Sequence, residues 1–169
     1  MRIVSATENE LDEIMGLIRD CIRDMESRGI HQWGDFYPTR EIIDEDIKNG
    51  SMHLAKENDE VLGIITINQE QPPEWTSVSW SNKADRIVTV HRLAVKPSRQ
   101  KQGIGRKLLD HAENYAIRNG YTAIRLDAYS GNLRALRLYE KHRYIRVGQI
   151  RFPERPLVFY CYEKILRDQ

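Results

Sequence analysis

Apolar side chains recur at helical spacing near the start of the chain, at Leu11, Ile14, Met15, Ile18, Ile22 and Met25. Thr7 followed by Glu10 has the spacing of a capping box, so a helix is predicted to begin there. Gly29 is expected to end it. A second, shorter helix is predicted from Thr39 to about Asn49, and the stretch between the two helices, residues 30–38, is predicted to be a loop.

A β-hairpin signal follows these helices. Residues 52–57 and 61–68 are predicted to form its two strands, with Asn-Asp-Glu at 58–60 as the turn. Residues 69–85 contain two prolines, two tryptophans and many polar side chains. We expect this segment to be a long, irregular excursion from the sheet.

The second half of the chain alternates between strand and helix patterns. Strands are predicted at 86–95, 122–129, 144–152 and 157–165, and helices at 103–119 and 132–142. The last two strands are expected to pair in antiparallel fashion. This alternation favours an α/β layered domain with a mixed sheet. With no repeat and no linker in the sequence, residues 1–169 are predicted to form one domain.

Charge and composition narrow the classes of function. Lys plus Arg number 26 and Asp plus Glu 25, a formal net charge of +1, so neither nucleic acid nor an anionic membrane is expected as a partner. The longest apolar stretch, Val61–Ile67, is far too short to span a bilayer, and early acidic residues argue against a signal peptide. We expect a cytoplasmic protein in which Cys21 and Cys161 are reduced, with no metal site.

The segment Gln100-Lys101-Gln102-Gly103-Ile104-Gly105 lies between a predicted strand and a predicted helix. The first amides of a helix lack intrahelical partners and carry partial positive charge, and glycines let an anion approach the backbone closely. This placement predicts a phosphate or pyrophosphate site. The alternative is a tight strand–helix turn that binds nothing. The spacing is neither that of a Walker loop nor, because of Leu108, that of a dinucleotide-binding motif.

Three sequence blocks together carry a family resemblance. They are His91-Arg92-Leu93-Ala94-Val95 with Pro97, then Gln100-x-x-Gly103-x-Gly105, then Asn132-x-x-Ala135-x-x-Leu138-Tyr139-Glu140-Lys141. In this order they resemble the GNAT (Gcn5-related N-acetyltransferase) superfamily, over roughly residues 86–146. The resemblance implies an α/β (α+β), three-layer fold with a mixed, mostly antiparallel sheet of about seven strands flanked by helices. One departure is His142-Arg143-Tyr144, where the family usually has a glycine before an aromatic residue.

The resemblance also implies which residues contact acetyl-coenzyme A, the co-substrate. Backbone groups of Leu93 and Val95, on either side of Ala94, would bond the pantetheine arm as an added strand does. The pyrophosphate would be bound by the loop residues Gln100, Lys101, Gln102, Gly103, Ile104, Gly105 and Arg106. Asn132 and Ala135 are similar to family residues beside the cofactor arm, although Asn132 could equally be a simple helix cap.

Two residues are implied to carry the chemistry. Tyr139 matches the family's general acid: a phenol is protonated at neutral pH and can give its proton to a departing thiolate. His91 is the candidate base, since its ordinary pKa suits proton transfer near neutrality. Strand alternation from Thr89 to Val95 would place His91 on the same face as Leu93. The alternatives are a core aromatic for Tyr139, and a hydrogen-bonded strand histidine or a water-mediated base for His91.

The acceptor is the least defined part of this interpretation. Family acceptor pockets implicate Trp33, Tyr37, Trp75 and Trp80, whose rings, with a few nearby acids, could hold a cationic amine. These aromatic residues could instead simply anchor long loops to the core. The sequence therefore predicts an acetyl-coenzyme A-dependent N-acetyltransferase of a primary amine acting in a ternary complex, with a homodimer possible by family analogy. A coenzyme A-binding module without turnover is the alternative, and a nucleotide phosphotransferase fits poorly.

Overall fold

A computed structural model describes residues 1–81, 83 and 85–166. Asn82, Ala84 and residues 167–169 lie outside the described part. The predicted excursion over 69–85 and the predicted single domain over 1–169 each include some of those residues.

Within the described residues, a seven-stranded mixed sheet is flanked by four helices, which confirms the predicted fold class. The helices are α1 (Leu11–Ser27), α2 (Arg40–Lys48), α3 (Ile104–Arg118) and α4 (Leu133–Lys141). The strands are β1 (Arg2–Ser5), β2 (Met52–Glu57), β3 (Glu60–Asn68), β4 (Ile87–Val95), β5 (Ala123–Tyr129), β6 (Ile145–Ile150) and β7 (Phe159–Ile165). Their order in the sheet is β1-β2-β3-β4-β5-β7-β6.

The chain divides into two compact units that are interleaved in sequence. The first comprises Met1–Ile67 and His91–His111, and the second comprises Asn68–Val90 and Ala112–Gln169. Strand β4 therefore contributes residues 87–90 to the second unit and residues 91–95 to the first.

Helix α1 of the first unit begins where the capping box predicted. Thr7 N donates to Glu10 Oε1 at 2.9 Å, and a short 3-10 turn at Glu8–Glu10 leads into the helix. Ile14, Ile18 and Met25 are buried as expected. The buried side also includes Leu17 and Cys21, which the predicted stripe did not contain. In α2, Thr39 caps the helix by accepting from Ile42 N at 3.3 Å.

The hairpin of the first unit has a tighter turn than predicted. Asn58 and Asp59 both have positive φ, at 49° and 64°, and Glu60 already pairs with Glu57. The turn thus has two residues rather than the predicted three, because two successive left-handed residues match the twist of the flanking strands. Strand β1 was not predicted; it pairs with β2 in antiparallel register, Arg2 opposite Lys56.

Gly63 of β3 lies where helix α3 and strand β4 come closest to it. A Cβ at this position would lie 2.9 Å from Leu108 Cδ1 and 3.0 Å from the Ala94 carbonyl oxygen. No side chain fits there without moving backbone or core, so glycine allows the first turns of α3 to pack directly on the sheet.

The second unit is organised around β5. This strand pairs in parallel with β4 at Ile87–Thr89 and in antiparallel fashion with β7 along its whole length. Since side chains alternate across a strand, Arg125, Asp127 and Tyr129 lie on one face of β5. Their partners on β7, Glu163, Cys161 and Phe159, lie on the same face. Strand β6 pairs antiparallel with β7, which confirms the predicted closing pair.

Helix α4 ends in a turn that the family resemblance left open. Arg143 has a φ of 65°, a left-handed conformation for which glycine is favoured. Tyr144 N still donates to the Tyr139 carbonyl at 3.0 Å, so the turn closes with arginine in the position of the usual glycine. Arg143 therefore bears the strain of this left-handed backbone conformation.

Cys21 and Cys161 are both buried thiols rather than a disulfide. In the described part of the chain, no helix combines the length and apolarity that crossing a membrane requires.

Candidate active site

A left-handed residue interrupts β4 in the first unit. Arg92 has a φ of 52° in the middle of the strand. The side-chain alternation that was expected to run unbroken from Thr89 to Val95 is therefore wrong, because a left-handed residue rotates the strand that follows it. His91, immediately before the break, is half-buried. Side-chain alternation along the strand therefore does not place His91 on the same face as Leu93.

Hydrogen bonds of the Arg92 side chain stabilise this interruption of β4. Its guanidinium binds Asp46 in a bidentate manner, with Nε to Oδ2 at 2.6 Å and Nη2 to Oδ1 at 2.8 Å. Nη1 donates to the Tyr37 hydroxyl at 2.8 Å, and the Thr66 hydroxyl donates to Asp46 at 2.9 Å. The Arg92 and Asp46 side chains are each only 8% exposed. Tyr37, a candidate acceptor residue, thus serves a buried ion pair with its hydroxyl.

The end of β4 is tied to the loop that follows it. The Val95 carbonyl accepts from Gln100 Nε2 at 3.1 Å and from the Cys21 thiol at 3.4 Å. A short 3-10 helix, Pro97–Arg99, connects the two. Because the Val95 carbonyl already has these two donors, a strand-like ligand would have to bond Val95 through its N–H or displace the Gln100 amide.

The loop over residues 100–106 leaves the N-terminus of α3 exposed to solvent. Lys101 and Gly103 have positive φ, at 63° and 81°, and a Cβ at Gly103 would meet no atom within 4 Å. The first helical hydrogen bond runs from Lys107 N to the Gly103 carbonyl at 3.1 Å, so the amides of residues 104–106 precede the helical ladder. Ile104 is buried and anchors the turn. This geometry can receive an anion.

In the second unit, Asn132 is the N-cap of α4. Its Oδ1 accepts from Ala135 N at 3.2 Å, so the simple capping role considered for Asn132 is present. The same bond uses the Ala135 N–H, which leaves the methyl group of Ala135 as its contact surface for any ligand.

Tyr139 lies on the buried side of α4. Its ring packs against those of Tyr144, at 6.0 Å between centroids, and Tyr162, at 5.9 Å. The residue is 7% exposed, and within the described part of the chain its hydroxyl makes no hydrogen bond, whereas the Tyr162 hydroxyl donates to Glu140. Burial raises the pKa of Tyr139, and the charges of Asp127 and Tyr162 raise it further. The phenol therefore remains protonated throughout the neutral range.

Asp127 is a candidate functional residue that sequence reasoning missed. It is half-buried on β5, and its Oδ2 accepts from Trp75 Nε1 at 2.8 Å. Burial raises the pKa of Asp127 to about 6, against smaller lowering effects of the Trp75 hydrogen bond and of Arg155; Glu74 adds to the rise. The available signal was an acidic residue inside strand 123–129, in which Arg125 is the other charged residue, since buried carboxylates need a reason.

The tryptophans nominated as acceptor contacts are largely internal. Trp33 is 6% exposed and Trp75 2% exposed. Trp80 donates to the Trp75 carbonyl at 3.0 Å, and the Arg125 guanidinium lies 4.6 Å from its ring centroid. These positions fit the alternative interpretation, that the aromatic side chains anchor the loops, because little of the two most buried rings can meet a ligand.

Comparison with known proteins decides the family. A sequence model of the acetyltransferase (GNAT) family matches residues 13–144. The chain belongs to the GNAT family. As a member, it is an acetyltransferase, and the family generally uses acetyl-coenzyme A as acetyl donor.

Two curated relatives of this GNAT protein come from one bacterium. It is 25% identical over 146 residues to the uncharacterized N-acetyltransferase YesJ of Bacillus subtilis (strain 168), covering 85% of this chain and 81% of that one. It is 33% identical over 91 residues to the uncharacterized N-acetyltransferase YhfO of the same organism, covering 54% of this chain and 56% of that one.

Solved structures support the fold of this GNAT protein. A GNAT-family acetyltransferase from Streptococcus agalactiae superposes with a TM-score of 0.85 at 23% identity, covering 99% of this chain and 96% of that one. A ribosomal-protein-alanine N-acetyltransferase from Brucella melitensis gives a TM-score of 0.75 at 17% identity, covering 98% of this chain and 100% of that one. At these identities the likeness concerns the fold.

The loop residues of this GNAT protein fit the diphosphate of acetyl-coenzyme A. The space over Gly103 is open, and the loop side chains Lys101 and Arg106 are exposed cations next to the start of α3. In the part of the chain that the structure describes, no group of three or more His, Cys, Asp or Glu side chains could hold a metal ion.

Proposed function

We propose that this GNAT protein transfers an acetyl group from acetyl-coenzyme A to a primary amine by direct attack within a ternary complex. The observation that carries the proposal is the open N-terminus of α3, where Gly103 leaves room for an anion beside the first amides of the helix. Residues 100–106 would bind the diphosphate through backbone N–H groups.

The pantetheine arm would be bound along the end of β4. Leu93 and Val95 would bond it through the backbone, with Ala94 between them, and Asn132 and Ala135 would contact it from the start of α4. Since the Val95 carbonyl already accepts two hydrogen bonds, we assign its N–H to this contact.

Two side chains would move protons. Acetyl-coenzyme A supplies a thioester carbonyl, which a neutral amine can attack. His91 would accept the proton that the acceptor ammonium must lose, because an alkyl amine of pKa near ~10.4 is almost fully protonated at pH 7. Tyr139 would donate its proton to the departing sulfur, and the absence of a hydrogen bond to its hydroxyl from other described residues keeps that proton available.

An acceptor screen tests the proposal. Release of free thiol from acetyl-coenzyme A would be measured with butylamine, phenethylamine, spermidine and a peptide beginning with alanine. We expect at least one of these to give turnover. Tight binding of acetyl-coenzyme A by calorimetry without thiol release from any amine would contradict it and favour a binding module. Cytoplasmic location and dimer formation stay predictions, for cell fractionation and size-exclusion chromatography.

The diphosphate site can be tested with a matched pair of variants. Gly103→Glu is expected to weaken acetyl-coenzyme A binding about tenfold or more, because it places a carboxylate beside the anion site. Gly29→Glu is the control: Gly29 also has a positive φ, 74°, and open space, so the backbone strain is matched. We expect its affinity, measured by calorimetry, to equal that of the wild type. Equal losses in both variants would mean that strain, not the loop, is responsible.

A further inference from the structure

Most poorly exposed carboxylates in this protein face a basic side chain. Asp46 binds Arg92 at 2.6 Å, and Glu163 binds Arg125 at 2.7 Å. Asp127 differs from both. Within residues 1–81, 83 and 85–166 it accepts one hydrogen bond, from the neutral indole of Trp75, and forms no ion pair. A carboxylate taken out of water without a cation is costly, so its charge calls for a partner beyond those that the described residues supply.

The charged groups around Asp127 offset its charge only in part. On its own face of β5, Arg125 is committed to Glu163 and to the ring of Trp80. Two further charges face it, with opposite effects on its pKa: Arg155, between β6 and β7, lowers it, and Glu74, in the excursion, raises it.

Two further neighbours of Asp127, Cys161 and Tyr139, are uncharged at neutral pH. Burial and the charge of Asp127 raise the pKa of the Cys161 thiol on β7 to about 12. Tyr139 on α4 is a protonated phenol for the same two reasons, together with the effect of Tyr162. Above pH 6 the negative charge at Asp127 is thus offset only in part, by the Trp75 hydrogen bond and by Arg155.

Asp127 is also held in place, and the residue as a whole is partly exposed. Trp75, only 2% exposed, fixes Oδ2 with its indole N–H, which leaves Oδ1 for another donor. The residue is half-buried rather than sealed. Its charge raises the pKa of Tyr139, so the carboxylate lies within electrostatic range of the proposed acid.

We propose that Asp127 binds the ammonium group of the acceptor, so that the acceptor is a cationic primary amine. A positive donor at Oδ1 would complete the pairing that Asp46 and Glu163 find within the chain. The inference rests on the proposed acetyl transfer to amines and adds the residue that selects the acceptor. Asp127 would bind the ammonium ion, and deprotonation would follow at the base.

Kinetics of Asp127→Asn test this role. Asparagine keeps an oxygen that can accept from Trp75, so the substitution removes the charge and little else. For any amine that the wild type acetylates, we expect KM to rise about tenfold or more, with the affinity for acetyl-coenzyme A unchanged. Asp12→Asn, at a side chain 87% exposed, is the control and should leave KM unaltered. An unchanged KM in Asp127→Asn would overturn the proposal while leaving acetyl transfer intact.

A second measurement needs neither turnover nor the variant. Tryptophan emission of the wild type, without acetyl-coenzyme A, is followed from pH 4 to pH 8. We expect a transition near pH 6 from Asp127 beside Trp75. The four amines of the acceptor screen at millimolar concentration should move its midpoint to lower pH, because a bound cation favours the carboxylate. The neutral isostere 1-butanol should not.

These outcomes separate the two proposals. If no amine in the panel moves the midpoint further than 1-butanol does, the ammonium site is refuted whatever the activity screen shows. If the midpoint moves and no amine is acetylated, Asp127 binds amines and the transfer proposal fails instead.

Discussion

Tyr139 carries a phenol in a setting that suits a proton donor. Tyr144 and Tyr162 surround its ring, and burial raises its pKa, so its hydroxyl stays protonated at any pH at which the protein would work. Burial that raises the pKa of the phenol also raises the pKa of a nearby thiol, so the two changes offset each other in the transfer of a proton to sulfur.

Removal of this hydroxyl should affect the chemical step alone. Tyr139→Phe is expected to lower kcat about 100-fold, with little change in acetyl-coenzyme A affinity, since a general acid acts in the transition state. Steady-state kinetics and calorimetry measure the two effects. Tyr162→Phe, in the neighbouring ring, is the control and should lose far less activity. A kcat of Tyr139→Phe within threefold of the wild type would remove this residue from the mechanism.

Candidate residues could be named from the sequence only where a motif carried them. His91, Tyr139 and Asn132 belong to the sequence blocks that carry the family resemblance, and a linear pattern can point to them. Asp127 has no such pattern, because what distinguishes it is the indole of Trp75, which lies 52 positions away in the chain. Long-range pairing of this kind appears only when the fold is known.

At the scale of elements, β4 contains a backbone feature that the hydrophobic pattern of the sequence does not predict. The strand was predicted within one residue, but nothing local marks Arg92 as left-handed, since non-glycine residues rarely adopt that conformation. The conformation persists because Asp46 and Tyr37 fix the guanidinium, and Thr66 in turn donates to Asp46. Strand β1 escaped prediction for a different reason: four residues are too few to show alternation, and its pairing with β2 stabilises it.

Two Arg–Asp pairs of the first unit allow a matched test. Arg92→Leu should lower the free energy of unfolding by about 3 kcal/mol, because it leaves Asp46 buried without its cation. Arg40→Leu breaks the pair with Asp12, in which both side chains are more than half exposed, and should cost under about 1 kcal/mol. Urea denaturation measures both. Similar losses would show that the Arg92 network does not hold β4.

At the scale of the whole molecule, acid stability combines opposing contributions. His53 hydrogen-bonds His111 at 3.0 Å, and burial, then His111, lowers its pKa from 6.5 to about 4. Its contribution is present above pH 6.5 and is lost as pH falls towards 4. Asp127, whose pKa rises from 3.8 to about 6, contributes stability below pH 4 that is lost as pH rises to 6.

Between pH 4 and 6 the two slopes should largely cancel in the wild type. Asp127→Asn is expected to make stability rise more steeply with pH than in the wild type, and His53→Gln should make it rise less steeply or fall. Urea midpoints at half-unit pH intervals measure these slopes. Parallel curves for the two variants would contradict the assignment. The prediction of one domain over 1–169 stays a prediction beside the two compact units of the described chain.

The tight contact at Gly63 has a consequence for altering this enzyme. Leu108 and the Ala94 carbonyl lie so close to Gly63 that a side chain there would have to displace them, so the packing of α3 on the sheet helps to set where the N-terminus of α3 lies. Substitutions within residues 100–106 would then change how strongly a donor is held without changing where it is held. Engineering for bulkier acyl groups should therefore leave the N-terminus of α3 unchanged and vary the surrounding side chains instead.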